Sequence, residues 1–130
     1  MELITTKVCM TKDLGVHGNL FGGIMLAWLD EAGAAFACEK AQSTHMVTRY
    51  INSVEFSRPV REGRIVKIYG EVMKYGKSSI KIKLSAKSYN PHSGKLKDVC
   101  ATEMVFVRID DDGDSLVINR WDNMGANGID

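Results

Sequence analysis

Cysteine and proline are scarce in this sequence of 130 residues, which contains three cysteines and two prolines. Cys9, Cys38 and Cys100 have no paired spacing, so we expect reduced, mostly buried thiols and no disulfide framework. The chain also lacks a C-x-x-C pair, and its three histidines are scattered without spaced acidic residues. This pattern argues against a zinc site or another metal centre.

A strong charge of one sign and a long apolar run are lacking as well. The formal net charge is +1, so no overall field attracts nucleic acid or an anionic membrane. The longest apolar stretch, residues 24–38, is interrupted by Asp30 and Glu31 and is too short and too charged to span a bilayer. The first residues contain no apolar signal core. We therefore expect a cytoplasmic protein that has neither nucleic acid nor a membrane as a partner.

The pattern along the chain predicts one helix and about five strands. The helix is predicted over residues 22–42, where alanine, leucine and methionine are abundant. The strands are predicted over 2–11, 45–56, 64–74, 78–89 and 98–109. These elements fit a single domain over residues 1–130 with an irregular tail from about 111. Strands joined mostly by hairpins indicate an α+β fold, in which the helix lies on one face of an antiparallel sheet.

The central helix has no continuous polar side, which is unusual for a helix at a protein surface. A helix that is apolar nearly all round is enclosed, so a curled sheet and a second subunit are expected to cover it. The strand over 78–89 alternates more cleanly than any other. One of its faces carries Ile80, Ile82, Leu84 and Ala86, and the other carries Lys81, Lys83, Ser85 and Lys87.

Two acidic residues, Asp30 and Glu31, lie in the middle of this apolar helix. A carboxylate in such a setting costs several kcal/mol unless it is paired or hydrogen-bonded. Asp30 is therefore either a partner of an Arg or Lys on a neighbouring strand or a general base. The helix begins at Gly22, where free N–H groups and the helix dipole favour a ligand carbonyl. Gly22 and Asp30 are eight positions apart, which corresponds to roughly 12 Å along a helix. The Gly22 amide and the Asp30 carboxylate of one helix therefore cannot both contact one atom. They could do so only if the two groups came from two subunits with antiparallel helices.

The motifs HGNLFGG at 17–23 and LAWLDEA at 26–32 resemble those of the hotdog-fold acyl-CoA hydrolases. FSRPVREG at 56–63 and GKSS at 76–79 are similar to two further turns of that family. The resemblance covers nearly the whole chain and implies one long central helix wrapped by a five- to six-stranded antiparallel sheet. It also implies a homodimer, often assembled into tetramers or hexamers. The reaction it implies is hydrolysis of acyl-CoA to a free acid and CoA, without a metal or an organic cofactor.

The same resemblance assigns roles to residues of this chain. The Gly22 amide polarises the thioester carbonyl, and Asp30 activates water or attacks the carbonyl directly. Many relatives carry an Asn where this chain has Gly15, and His17 or Asn19 is the candidate substitute. Both can also be residues that only order the loop. Candidate substrate-binding residues are Gly23 and a set of cations and hydroxyls suited to CoA phosphates, which can equally be solvated turn residues: Arg58, Arg61, Lys77, Ser78 and Ser79.

Two other functions remain open from the sequence. One is a hotdog dehydratase or hydratase acting on acyl-CoA or an acyl carrier protein, which would use His17. The other is a non-catalytic protein that binds acyl-CoA.

Overall fold

The computed structural model describes residues 1–118 and consists of one long helix and a five-stranded sheet. The helix, α1, spans Gly22–Ala41, and a short 3-10 helix spans Thr11–Asp13. The strands are β1 (Glu2–Val8), β2 (Met46–Phe56), β3 (Ile65–Tyr75), β4 (Ser79–Asn90) and β5 (Lys95–Arg108). They pair in the order β1-β3-β4-β5-β2, and every pair is antiparallel. The predicted α+β architecture is confirmed.

Two of the predicted strand limits are wrong by three residues. The first strand ends at Val8 rather than at residue 11, because the chain turns into the 3-10 helix at Thr11. The last strand begins at Lys95 rather than at residue 98, because Lys95 already pairs with Asn90 across a tight hairpin. In both cases the extent of backbone pairing next to the turn, rather than residue type, sets the strand limit.

The core lies between α1 and one face of the sheet. Ile80, Ile82, Leu84 and Ala86 of β4 are fully buried, as the alternation predicted. On the opposite face Lys81 forms an ion pair with Glu103 at 3.4 Å, and Lys87 forms one with Asp98. Ser85 on this face is only 8% exposed between its strand partners Tyr69 and Ala101.

The sheet covers only one side of α1 within the single chain. The covered side carries Met25, Leu29, Ala32, Gly33, Phe36, Ala37 and Ala41. A Cβ at Gly33 would lie 2.8 Å from Phe106 Cζ and 2.9 Å from Leu84 Cδ1, so glycine permits the close approach of helix and sheet. On the opposite side Ala27, Glu31 and Ala35 are exposed. The predicted enclosure of the helix is therefore incomplete within one chain.

The segment after β5 folds back onto that strand. Ile109 bridges to Ser115, the Leu116 N–H donates to the Arg108 carbonyl, and Ile118 is buried. The predicted irregular tail from about 111 thus begins with a turn, and its remainder, 119–130, lies outside the described residues. The single-domain division of the chain stays a prediction.

The described residues also answer two smaller questions raised by the sequence. All three cysteines are free thiols, and burial raises the pKa of Cys100 to about 11. Within residues 1–118, no helix combines the length and the apolar character needed to cross a membrane. The cytoplasmic location stays a prediction.

Candidate active site

The loop that leads into α1 is held by Asp13. Its buried carboxylate accepts a hydrogen bond from the Met10 N–H at 3.0 Å and pairs with Lys12 at 3.1 Å. The bond from Met10, followed by the contact with Lys12, lowers the pKa of Asp13. Its backbone carbonyl accepts the Phe21 N–H at 2.9 Å. Asp13 therefore connects the 3-10 helix to the first residue before α1.

The first turn of α1 presents two backbone N–H groups without an internal acceptor. Phe21 is the N-cap, and its carbonyl accepts the N–H groups of Ile24 and Met25. Within residues 1–118, nothing accepts the N–H of Gly22 or Gly23. Two donors at the positive end of a helix dipole can polarise a carbonyl.

The space available for a side chain differs between the two glycines at the helix start. A Cβ at Gly23 would meet the Phe21 ring at 2.8 Å, so the chain's own packing excludes a side chain there. A Cβ at Gly22 would meet the Phe56 ring at 3.6 Å, which is an ordinary contact. Packing within the described chain therefore does not require glycine at 22.

Asp30 lies half-buried in the middle of α1, and its partner is a hydroxyl. The Thr48 Oγ1 of β2 donates a hydrogen bond to Asp30 Oδ1 at 2.6 Å. None of the ion pairs among the described residues involves Asp30. The ion pair with an Arg or Lys that was considered for Asp30 is formed by the neighbouring carboxylate. The exposed Glu31 pairs with Lys7 at 3.5 Å. The Thr48 hydroxyl therefore fixes the orientation of the Asp30 carboxylate.

Three of the four candidate catalytic residues line one cleft of about 720 Å³ beside the helix start, namely Gly22, His17 and Asn19. Gly15 and Phe21 line it as well. The Asn19 carbonyl accepts the Gly15 N–H at 2.8 Å, so a backbone hydrogen bond orders this turn. A second cleft of about 270 Å³ is lined by Asn19, Gly22 and Arg58. We call it the helix-start cleft.

The candidate CoA contacts fall into two separate groups. Arg58 and Arg61 precede β3, whereas Lys77, Ser78 and Ser79 follow its other end. An extended strand of this length keeps the two groups on the order of 30 Å apart within one chain. The Lys77 carbonyl accepts the Ile118 N–H at 2.8 Å. Substrate binding by Lys77, Ser78 and Ser79 stays a prediction.

The model of the thioesterase superfamily matches residues 17–95 of this chain. The chain belongs to the thioesterase superfamily. The predicted family and the prediction of a thioester hydrolase are thereby confirmed.

Named relatives of this thioesterase agree with that assignment. It is 34% identical over 124 residues to an uncharacterized acyl-CoA thioester hydrolase of Haemophilus influenzae, covering 93% of this chain and 80% of the relative. It is 30% identical to the acyl-CoA thioester hydrolase YciA of Salmonella typhimurium, covering 86% of each chain.

Solved structures of similar proteins agree as well. The hexameric broad specificity acyl-coenzyme A thioesterase HI0827, solved as an aspartate-to-alanine mutant, matches with a TM-score of 0.87 and 32% identity over 93% of this chain and 88% of that one. A hexameric hotdog fold thioesterase of Campylobacter jejuni matches with a TM-score of 0.81 and 28% identity over 93% of this chain and 92% of that one. The predicted hotdog fold is confirmed, with five strands in the described residues.

Thr48 is a possible site residue that could not be predicted from the sequence. The sequence offers only a weak indication of its role. Thr48 is a threonine in the strand after the helix, and threonine is common on exposed strands. The contact with Asp30 joins residues 18 positions apart, so it becomes visible only when the helix is placed on the sheet. Among residues 1–118, no three His, Cys, Asp or Glu side chains are grouped as metal ligands would be, and a reaction without a metal or cofactor stays a prediction.

Proposed function

We propose that this thioesterase hydrolyses acyl-CoA to a free acid and CoA, with Asp30 as the general base or nucleophile. The relatives and the solved structures that support this substrate class are named as acyl-CoA hydrolases. The observation that carries the assignment of Asp30 is its hydrogen bond to Thr48 in place of an ion pair. A carboxylate that served only to hold the helix would be expected to pair with a cation, since buried charges are usually paired.

The reaction needs a donor for the carbonyl and an acceptor for a proton. We assign the donor to the Gly22 N–H, since it has no acceptor within residues 1–118 and lies at the positive helix end. It would stabilise the negative charge that develops on the carbonyl oxygen. Asp30 either takes a proton from the attacking water or attacks the carbonyl carbon to give a mixed anhydride that water opens. In both routes the C–S bond breaks and CoA leaves as the thiol.

The two groups would come from different subunits. Gly22 and Asp30 are eight residues apart on one helix, or roughly 12 Å, which is too far for both to contact one carbonyl. An antiparallel α1 of a second copy would bring its Asp30 near Gly22. The relatives with solved structures include hexamers, and we propose that the dimer is the repeating unit of a similar assembly here.

Two exposed surfaces support this dimer. The edge strand β2 has eleven residues, and it exposes Val47, Tyr50 and Phe56. A long apolar edge strand left unpaired in water promotes association. The uncovered side of α1, with Ala27, Glu31 and Ala35, is the second surface. A second copy that covered both would complete the enclosure of the helix.

Replacing Asp30 by Asn tests this function. We expect kcat to fall on the order of 10²–10⁴-fold, since a general base is lost, while KM changes little. The melting temperature should stay equal or rise, because a partly buried charge is removed. A thiol-release assay across acyl-CoA chain lengths measures kcat and KM, and thermal unfolding measures the melting temperature.

Glu31→Gln is the matched control, because it removes the neighbouring carboxylate and only its ion pair with Lys7. Its kcat should fall much less than that of Asp30→Asn, because Glu31 bonds to Lys7 and not to Thr48. A fully active but unstable Asp30→Asn variant, or an inactive Glu31→Gln variant, would mean that the wrong carboxylate is assigned.

A further inference from the structure

Gly22 lies where two clefts meet beside the start of α1. The helix-start cleft of about 270 Å³ and the larger cleft of about 720 Å³ share Asn19, Leu20 and Gly22. We call the larger one the loop cleft, and its other lining residues are Leu14, Gly15, Val16, His17 and Phe21. Two arms extend from the carbonyl carbon of a thioester, namely the acyl group and the sulfur with the rest of CoA. A thioester carbonyl at Gly22 therefore has one cleft for each arm.

The charge and the apolar surface of the two clefts decide which arm fits which cleft. Within residues 1–118, no Lys or Arg lines the loop cleft, whereas Arg58 lines the helix-start cleft. The CoA arm carries phosphates, which favour a cation, so it fits the helix-start cleft. The loop cleft offers apolar side chains instead, because Val16 is 95% exposed and Phe21 is 57% exposed. Burying them against an apolar acyl group is favourable, so the acyl group fits the loop cleft.

Gly15 lines the loop cleft without a side chain, although neither its backbone nor its packing requires glycine. Its φ is not positive, so other residues can adopt its backbone conformation. A Cβ at position 15 would lie 3.4 Å from Phe21 Cδ1 and 3.7 Å from the Asn19 carbonyl oxygen, which are ordinary contacts. A side chain there would begin beside the Phe21 ring. Because Gly15 and Phe21 both line the loop cleft, such a side chain would occupy part of its space.

The distance from Gly22 decides which part of the acyl group this space receives. A Cβ at position 15 would lie 3.7 Å from Phe21 Cα, and Gly22 Cα is one step of about 3.8 Å further along the chain. Position 15 is therefore at most about 7.5 Å from Gly22 Cα. A carbonyl oxygen bound by the Gly22 N–H lies about 2.9 Å from that nitrogen. The space at Gly15 consequently adjoins the first carbons of the acyl group rather than its far end.

We propose that Gly15 is a specificity-determining residue, whose missing side chain admits acyl groups that are broad next to the carbonyl. Such groups are branched at the carbon after the carbonyl or carry an aromatic ring there. The proposal rests on the proposed function, because it assigns the thioester carbonyl to Gly22. Gly15 contributes no side-chain group to the reaction, so its effect is on which acyl groups fit. A straight chain needs less width at this point and is accepted with or without a side chain at position 15.

Gly15→Val tests the proposal by filling this space with a branched side chain. With isobutyryl-CoA and benzoyl-CoA, kcat/KM should fall on the order of 10–200-fold, the range for changes of methylene size in an apolar pocket. With butyryl-CoA, which has as many acyl carbons as isobutyryl-CoA, kcat/KM should change little. Gly15→Ala adds a single methyl group and should lie between the wild type and Gly15→Val. Thermal unfolding of both variants checks that they are folded.

Calorimetry with S-isobutyl-CoA and S-butyl-CoA, two thioethers that cannot be hydrolysed, gives a readout without catalysis. Gly15→Val should lose about tenfold or more in affinity for the branched thioether and keep its affinity for the straight one. If the wild type hydrolysed no thioester but this difference in binding were found, the proposed function would be refuted and the role of Gly15 kept. If Gly15→Val affected branched and straight compounds equally, or neither, the role of Gly15 would be overturned while the hydrolysis stood. A wild type that already rejected isobutyryl-CoA would overturn it as well.

Discussion

Removal of the Thr48 hydroxyl is the most direct test of how Asp30 is held. Thr48→Val keeps the branched shape of the side chain and deletes only the donor that lies 2.6 Å from Asp30 Oδ1. Thr48 is exposed on β2, so its methyl group contributes little to the core. The substitution therefore separates the orientation of Asp30 from the packing around it.

The expected size of the effect follows from the type of bond. A hydrogen bond to a charged group contributes about 1.5–3 kcal/mol, and solvent near Thr48 favours the lower value. About 1.5 kcal/mol corresponds to roughly tenfold in rate. We expect kcat for acyl-CoA to fall about tenfold, with KM little changed because Thr48 lines neither cleft that contains Gly22. The melting temperature should change little, since an exposed substitution costs within about 0.5 kcal/mol.

Thr102→Val is the matched control, because it deletes a hydroxyl on the neighbouring strand. Thr102 is buried, and its hydroxyl donates to the Ser53 carbonyl. Its loss should cost about 1 kcal/mol of unfolding free energy and leave kcat per folded molecule intact. Steady-state kinetics and urea unfolding on both variants give the comparison. If Thr48→Val kept full kcat, Asp30 would not depend on this hydroxyl, and the reasoning would be refuted.

Two further predictions concern stability. Gly33→Ala should destabilise the fold by about 1–3 kcal/mol, because its Cβ would lie 2.8 Å from the buried Phe106; unchanged urea unfolding would show that the helix can shift. Asp13→Asn should destabilise the protein at neutral pH but much less at low pH. The pKa of Asp13 is lowered from 3.8 by the Met10 N–H and Lys12, so its stabilisation is present above that value and is lost as the pH falls through the lowered pKa. Thermal unfolding of the wild type and of Asp13→Asn from pH 7 to pH 3 measures the difference in stability. A difference that stayed the same at every pH would contradict the prediction.

The fold could be predicted because local and global signals agree. The alternation at Ile80 and Ile82 fixes which face of β4 is buried, and one apolar helix has only that face to pack on. Two strand limits were misplaced, because the pairing next to a turn, such as that of Asn90 with Lys95, is set by backbone hydrogen bonds. Backbone pairing of this kind does not depend on residue type.

Site residues that are close in the sequence could be predicted, whereas those that are distant in the sequence could not. Gly22 and Asp30 lie on one helix, so their motif is continuous in the sequence. Thr48 lies on β2, 18 positions after Asp30 on α1, and no spacing in the sequence connects the two. Their contact depends on how the helix packs against the sheet, in which β2 is an edge strand.

A proline at position 22 can remove the proposed carbonyl donor without breaking the helix. Gly22 is the first helical residue, where proline is well accepted. Phe21 before it has the extended backbone, with φ −65° and ψ 132°, that proline requires of its predecessor. Gly22→Pro should therefore fold, and the loss of the N–H should reduce kcat on the order of 10²–10³-fold. Gly22→Ala, which keeps the N–H, is its control.

Gly22→Pro and Asp30→Asn together test whether the site spans two subunits. In a mixed dimer, one of the two sites combines the intact Gly22 of one subunit with the intact Asp30 of the other. Random pairing makes half of the dimers mixed, so co-expressed variants should recover roughly a quarter of the wild-type kcat, because each symmetric interface holds two sites. If the site lay within one chain, every site in the mixture would lack a group, and the activity would stay at the level of the single variants. As a control, the two variants are expressed separately and mixed under conditions without subunit exchange. If activity is recovered only on co-expression, the recovered activity belongs to the mixed dimer.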